Sequence, residues 1–377
     1  MTNIAAPLPL HGTEENSRPD KSTADMRVGI WLFFVSFLVF CMVIVGGTTR
    51  LTDSGLSITQ WAPITGMVPP ITSADWAAEF ERYRVIPEYL QQNRGMSLAD
   101  FQFIYWWEWS HRFLGRFVGL LFAIPLIIFL ITKQIKKGLT PWLATMFLLG
   151  GLQGVIGWWM VSSGLSGDRL DVAAYRLATH LSMAFLLMAI AAWTAMDLVA
   201  PKHVGSGDRR LAGAIGVFVT FLATQIVLGA FVAGTDAGMV NTDWPKFAGG
   251  WYPKDYAALQ PFVQNLVENR STIQFNHRIG AYVIALATVF LWWKARSSAD
   301  RHVVILGHIV LTLVGLQVVL GIATLTGYGI WTPPHIKGVL LGVGHQGLGA
   351  ILFTASALWL RAAIAVPKSP SPALMKA

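Results

Sequence analysis

The sequence predicts an all-α integral membrane protein with eight transmembrane helices, arranged as two tandem pseudo-symmetric four-helix bundles. Composition is the first reason. Of 377 residues, 54% are hydrophobic and only 13% charged, outside the range of an ordinary soluble chain. Charge-poor stretches of bilayer-spanning length supply the second, at 28–47, 113–132, 141–164, 177–196, 211–234, 278–293, 303–325 and 338–360. They are too long for outer-membrane barrel strands and lack strict alternation, and Gly, Ala, Ser and Thr recur as helix-contact residues would. A long internal repeat is the third.

Taken in order, the chain opens with a polar tail, 1–27, containing Glu14, Glu15, Asp20 and Asp25. An organelle transit peptide is Arg-rich and poor in acids, and a cleavable signal has a short apolar core; the tail has neither character. Short loops beside the spans collect the basic residues: Lys133, Lys136 and Lys137, then Lys202, Arg209 and Arg210, then Lys294, Arg296 and Arg301. This is the positive-inside pattern, and it puts those loops and both termini in the cytoplasm. The net charge of +8 is thereby explained by topology, without nucleic acid. Two long loops, 48–107 and 235–272, face outward, and a bacterial inner membrane fits best. The single cysteine, Cys41, has no partner for a disulfide or a dithiol site.

The repeat is explicit. Asp53, Gly55, Thr59 and Trp61 match Asp236, Gly238, Thr242 and Trp244 at an offset of 183. His111-Arg112 matches His277-Arg278, Leu152-Gln153 matches Leu316-Gln317, and His180 matches His345, at offsets of 164 to 166. A longer first outer loop accounts for the change of offset. The expected division is an N-terminal unit at 28–200, a C-terminal unit at 201–362 and a cytoplasmic tail at 363–377. Four spans per unit give both the same orientation, so the repeats are parallel.

Each unit places two histidines on its second and fourth helices. From His111, His180, His277 and His345 there are about 21, 19, 17 and 16 residues to the cytoplasmic helix ends. At ~1.5 Å per residue this is roughly 24–32 Å, so all four lie near the outer side of the hydrocarbon. Two imidazoles on facing helices can ligate one haem iron, which gives two bis-histidine sites. A lone membrane histidine can instead bond across helices, bind zinc or relay protons. Zinc wants more donors than each half offers. His11, His203, His302, His308 and His335 have no counterpart in the other half and are assigned to tails, loops and helix ends.

The halves differ in one polar position. Glu108 precedes His111 by one helical turn, where the second half has Gln274. A carboxylate there can move protons, which Gln cannot; the alternative is a solvated interfacial Glu among Trp106, Trp107 and Trp109. Arg50, Arg112 and Arg278 suit haem propionates, or snorkel to headgroups. Gln153 and Gln317 are expected to bond between helices. Asp53, Gly55, Asp236 and Gly238 read as turns.

The run Gly46-Gly47-Thr48-Thr49-Arg50-Leu51-Thr52-Asp53-Ser54-Gly55-Leu56-Ser57 resembles the haem A synthase family, as do Glu108-Trp-Ser-His111-Arg112, Ala178-Thr179-His180-Leu181, Phe275-Asn276-His277-Arg278 and Gly344-His345-Gln346. The resemblance covers about residues 28 to 362. It implies oxidation of the C8 methyl of haem O to a formyl group through a hydroxymethyl intermediate, for cytochrome oxidase biogenesis. It also implies that His277 and His345 hold a resident haem b, while His111, His180 and Glu108 flank the substrate haem. Some branches of the family carry a cysteine pair in the first outer loop; 48–107 has none, so no mechanism using that pair applies. Haem O synthase, oxidase assembly factors and membrane lipid are the partners implied, and a homo-oligomer is compatible. Judged by the ligand pattern alone, a di-haem b electron-transfer protein or a haem carrier stands beside the enzyme.

Overall fold

The computed structural model describes residues 21–200, 208–328 and 336–364. Within them the chain is helical, with one isolated bridge between Phe247 and Gly250 and no strand. In chain order the α-helices are α1 (Lys21–Leu51), α2 (Ser73–Tyr83), α3 (Pro87–Gln91), α4 (Leu98–Ile131), α5 (Leu139–Val161), α6 (Ala174–Val199), α7 (Arg209–Gly234), α8 (Arg270–Ala295), α9 (Arg301–Tyr328) and α10 (Ile336–Ala363). Eight of these, all but α2 and α3, are long and apolar enough to cross a membrane. The chain is a multi-pass membrane protein.

Every span starts before its apolar window, and α4 and α8 do so by the most. The windows at 113–132 and 278–293 open just after a histidine, whereas α4 starts at Leu98 and α8 at Arg270, so His111 and His277 lie well inside helices. Capping residues explain the difference. Ser97 accepts from the Asp100 N–H while Asp100 accepts from the Ser97 N–H, and the Asn269 side chain accepts from Thr272 N–H. These caps satisfy the free amides of amphipathic turns that no hydropathy window detects. The first outer loop shortens accordingly and folds into α2 and α3. Thr72 and Asp75 cap α2 reciprocally, and Pro87 opens α3.

Three apolar clusters organise the bundle. One joins α6 through α10, with Phe218, Ile215, Val310 and Trp359 at its centre and Val43 of α1 packed in. A second joins α1, α4, α5 and α6 through Leu32, Phe122, Leu143 and Ala195. Ala189, Ala191, Ala192 and Ala195 of α6 are buried, which allows the close helix approach that membrane packing favours. Between the halves of the chain, α1 and α6 pack against α7 and α10. At the end away from the long loops, buried Arg361 of α10 donates Nε to Asp197 at 2.8 Å and Nη2 to the carbonyls of Met196 and Ala200, closing the C-terminus of α6.

The third cluster is a cap over the first half, built from Leu56, Ile58, Tyr83, Ile86, Tyr89, Phe101 and Tyr105. Within it Glu88 is buried, 3% exposed, and accepts from Tyr83 Oη at 2.7 Å and from Asn93 Nδ2 at 3.3 Å. Burial pushes its carboxyl up from 4.5 to about 8, against the Tyr83 hydrogen bond, and the carboxylates of Asp53, Asp171 and Glu108 push the same way. A raised carboxyl pKa in the folded state stabilises the fold at low pH and loses that contribution as pH rises. Thermal unfolding should therefore show stability falling between pH 4.5 and about 8. Glu88→Gln, which keeps a neutral hydrogen-bonding group, should flatten that dependence.

Candidate functional site

All four paired histidines lie in the half of their helices nearest the long loops, on α4, α6, α8 and α10, and each is only half-buried. His277 and His345 lie edge to face, with ring centroids 6.5 Å apart and planes at 83°. Two imidazoles this close could hold one iron between them. His111 and His180 lie within electrostatic reach of each other.

A neighbouring helix supplies a glycine against each ring. A Cβ added at Gly46 of α1 would stand 2.7 Å from His111 Cε1, and one at Gly157 of α5 3.0 Å from His180 Cε1. At Gly229 of α7 the distance to His277 Cε1 is 2.9 Å, and at Gly321 of α9 it is 2.8 Å to His345 Cε1. The same ring edge therefore meets a bare backbone four times, and any larger residue would displace the ring. Gly46 and Gly229 are 183 residues apart and Gly157 and Gly321 are 164 apart, the offsets of the repeat. The neighbouring Gly47 serves a second contact: its added Cβ would meet Gln346 Nε2 at 2.9 Å, and that amide donates to Val43 O at 2.8 Å. Through this pair α10 docks on α1.

Glutamines complete three of the seats. Gln153 donates to His180 O at 2.7 Å, Gln225 to His277 O at 2.7 Å and Gln317 to His345 O at 2.9 Å. The expected interhelix bonds of Gln153 and Gln317 are thus present. Gln225 and the glycine seats were not singled out from the sequence, although their four-residue spacing is visible in it.

Glu108 is 3% exposed, which removes the solvated interfacial reading. One oxygen accepts from Ser57 Oγ at 2.8 Å and Ile58 N at 2.7 Å, the other from Arg112 Nε at 3.0 Å and Nη2 at 2.6 Å. Arg112 also donates to Ile58 O and Gln60 O and lies over the Trp158 ring. In the second half Gln274 donates to Ala237 O and Asn241 O, and Arg278 to Asp243 O and Lys246 O. Position 108 and its counterpart both tie the long loop to the histidine helix, but only the first half does so with a carboxylate. Arg278 stacks on Phe247 and leaves Nε and Nη1 buried with no partner among the described residues.

Arg50 sits between the halves. Its guanidinium reaches Asp53 at 3.3 Å, Asp171 at 3.4 Å and Asp236 at 3.1 Å, and donates to Ala233 O, the carbonyl of its own counterpart position. Asp53 and Asp236 both adopt left-handed φ, 48° and 53°, so the turns expected there form at matching places. Burial raises the carboxyls of Asp53 and Asp171 while Arg50 opposes it. Of the histidines with no counterpart in the other half, His302 and His308 are exposed on α9, while His11, His203 and His335 lie outside the described residues, as does Lys202.

A model of the cytochrome oxidase assembly protein family matches residues 29–357. The chain belongs to that family. Its relatives include the "Heme A synthase" of Dinoroseobacter shibae, 48% identical over 84% of each chain. That of Parvibaculum lavamentivorans is 45% identical over 87% of this chain and 92% of its own, and that of Paracoccus denitrificans 42% identical over 87% and 85%. The family model spans all four histidines, all four seat glycines and Arg50. Arg50→Gln should lower the midpoint of thermal unfolding, by an equivalent of about 1–2 kcal/mol at pH 8. The loss should shrink as pH falls, because burial already raises the carboxyls of Asp53 and Asp171 and Arg50 would no longer oppose it.

Proposed function

We propose that this family member is a haem A synthase, oxidising the C8 methyl group of haem O to a formyl group through a hydroxymethyl intermediate. The observation that carries the reading is the seated imidazole pair, present in both halves but flanked by a buried carboxylate in one only. His277 and His345, 6.5 Å apart, would hold a resident haem b through its iron. The glycine seats fit a ring that must hold one orientation, and Nδ1 of His111, His180 and His345 is buried with no partner among the described residues.

When bound, the haem supplies redox chemistry that side chains lack. The protein's own part is placement and proton handling. His111 and His180 flank haem O in the first half, and Glu108 takes or returns protons as the methyl carbon is oxidised, with Ser57 and Arg112 fixing its carboxylate. Arg278 is the guanidinium best placed for a propionate, since two of its nitrogens are unspent. The bonds that Arg112 and Arg50 make to the chain's own loops favour loop-holding roles for them. We read the chain as two units, 28–200 carrying the substrate site and 201–362 the resident one. The basic loops lie on the cytoplasmic side of a bacterial inner membrane, with both termini there. Haem O enters from the membrane, and haem O synthase and oxidase assembly factors are the natural partners.

Expression in a membrane that makes haem O but lacks this activity, followed by haem extraction and mass spectrometry, should yield haem A with its hydroxymethyl precursor. Haem b with unaltered haem O, in folded and pigmented protein, would contradict the reading. Glu108→Gln should cut turnover roughly a hundredfold with the resident haem retained. His277→Ala and His345→Ala should lose that haem. Gly229→Ala should also lose Soret absorbance by displacing His277, whereas Gly213→Ala on the same helix, where a Cβ meets nothing within 4 Å, should not.

A further inference from the structure

The seats of the four histidines share a spacing that extends beyond glycine. In three, a glutamine stands one helical turn before the glycine on the same helix: Gln153 before Gly157, Gln225 before Gly229, Gln317 before Gly321. An i, i+4 pair lies on one helix face, so ring seat and amide meet the same histidine. In the fourth the spacing holds and the chemistry changes, because Met42 stands before Gly46. Met42 and Gln225 are 183 residues apart, the same offset as Gly46 and Gly229. Met42 approaches α4 one turn past His111, its Cε lying 3.5 Å from where a Cβ at Gly115 would stand.

We propose that the residue four before each seat glycine sets how firmly its histidine is held, and that Met42 makes His111 the releasable ligand of the substrate site. The inference rests on the haem reading above and adds which ligand yields.

Two physical differences support it. A glutamine amide in an apolar bundle donates to the histidine's backbone carbonyl, and breaking that bond strands a polar group where water cannot replace it. The helix segment bearing His180, His277 or His345 is tied to its neighbour in this way. A thioether has no N–H to donate and sits on a flexible chain, so the His111 segment lacks the tie.

The second difference concerns the ring. A ligating imidazole is strengthened when its other nitrogen gives its proton to a carbonyl or similar acceptor. Gln153 Oε1 and His180 Nδ1 are both buried without partners among the described residues, and so are Gln317 Oε1 and His345 Nδ1. The helix that seats each of these rings thus carries an unspent amide oxygen four residues before the glycine, with no bond to Nδ1 in this structure, and Gln317 Nε2 stands 3.5 Å from His345 Nε2. At His277 the amide nitrogen of Gln225 lies 3.0 Å from Nδ1, so there it can only donate to the ring, and the same nitrogen ties the His277 carbonyl. His111 Nδ1 is buried without a partner among the described residues, and Met42 stands four residues before its seat glycine. Of the four imidazoles, His111 is the one whose seat supplies no amide.

The weak seat occurs on the half that carries Glu108. Substrate must enter there, product must leave, and an iron held by two histidines has no open position. A ligand that lets go on one side meets both needs while His180, with its amide tie, keeps the haem in register. The resident site, with glutamines in both seats, has no labile ligand.

The test is carbon monoxide binding to the full-length protein in nanodiscs, loaded with haem O and haem b and chemically reduced. Binding to a six-coordinate iron is limited by histidine release, and the haem b phase is identified in matched samples of each variant prepared without haem O. Haem O should bind carbon monoxide faster than haem b in the unmodified protein. Met42→Gln should slow binding to haem O roughly threefold to tenfold, the range a membrane interhelix hydrogen bond supports. Met42→Leu, which removes sulfur but adds no amide, should stay within twofold. Gln225→Met should speed binding to haem b by a similar threefold to tenfold factor, and it decides the matter if Met42→Gln does not accumulate. Unchanged rates in both Met42→Gln and Gln225→Met, or equal slowing by Leu and Gln at position 42, would overturn the proposal. Haem A formation is assayed on the same samples: no haem A with the rate pattern intact would refute the enzyme reading and leave the ligand assignment standing.

Discussion

Four imidazoles inside a bundle whose outer surface meets hydrocarbon impose the constraint from which the other features follow. A polar ring buried among apolar side chains is stable only if its orientation is fixed and its hydrogen-bonding atoms have a purpose. The bundle fixes orientation by bringing a glycine backbone against the same ring edge each time. That close approach requires helix pairs at short separation, which the alanine-rich face of α6 and the Gly46-Gly47 pair of α1 provide. The long loops then close over the histidine ends, tied down by Glu108 and Arg112 in one half and by Gln274 and Arg278 in the other.

The departures from the repeat are more informative than the matches. Where the second half has Gln225, Gln274 and Ala233, the first has Met42, Glu108 and Arg50. Two of these alter the surroundings of His111, and the third puts a cation where the halves meet. Arg50 draws on aspartates from three separate segments and on the carbonyl of its own counterpart, so one side chain fastens the loop-side ends of both halves. At the opposite ends Arg361 does the same between α10 and α6. Docking of this kind fixes the two histidine pairs relative to one another.

Much of this was legible in the sequence because hydropathy, spacing and duplication are local signals. The eight spans and the turns at Asp53 and Asp236 appear where those signals put them. The starts of α4 and α8 were misplaced because a cap is a polar feature that an apolar window cannot see. The solvated reading of Glu108 failed because its burial depends on Ser57 and Ile58, some 50 residues away, folding back over it. The three-aspartate setting of Arg50 depends on tertiary placement of Asp171 and Asp236, which no motif encodes. The glutamine seats lie between these cases: the four-residue spacing is written in the chain, but its meaning emerges only when the neighbouring histidine is in place.

A density map of the protein purified with its native pigment, at a resolution that separates axial ligands, tests the central claim most directly. The account predicts one macrocycle between His277 and His345, and a second, in haem O-loaded protein, between His111 and His180. Macrocycle density outside these helix pairs, or an iron ligated by other side chains while the seated imidazoles point away, would contradict it.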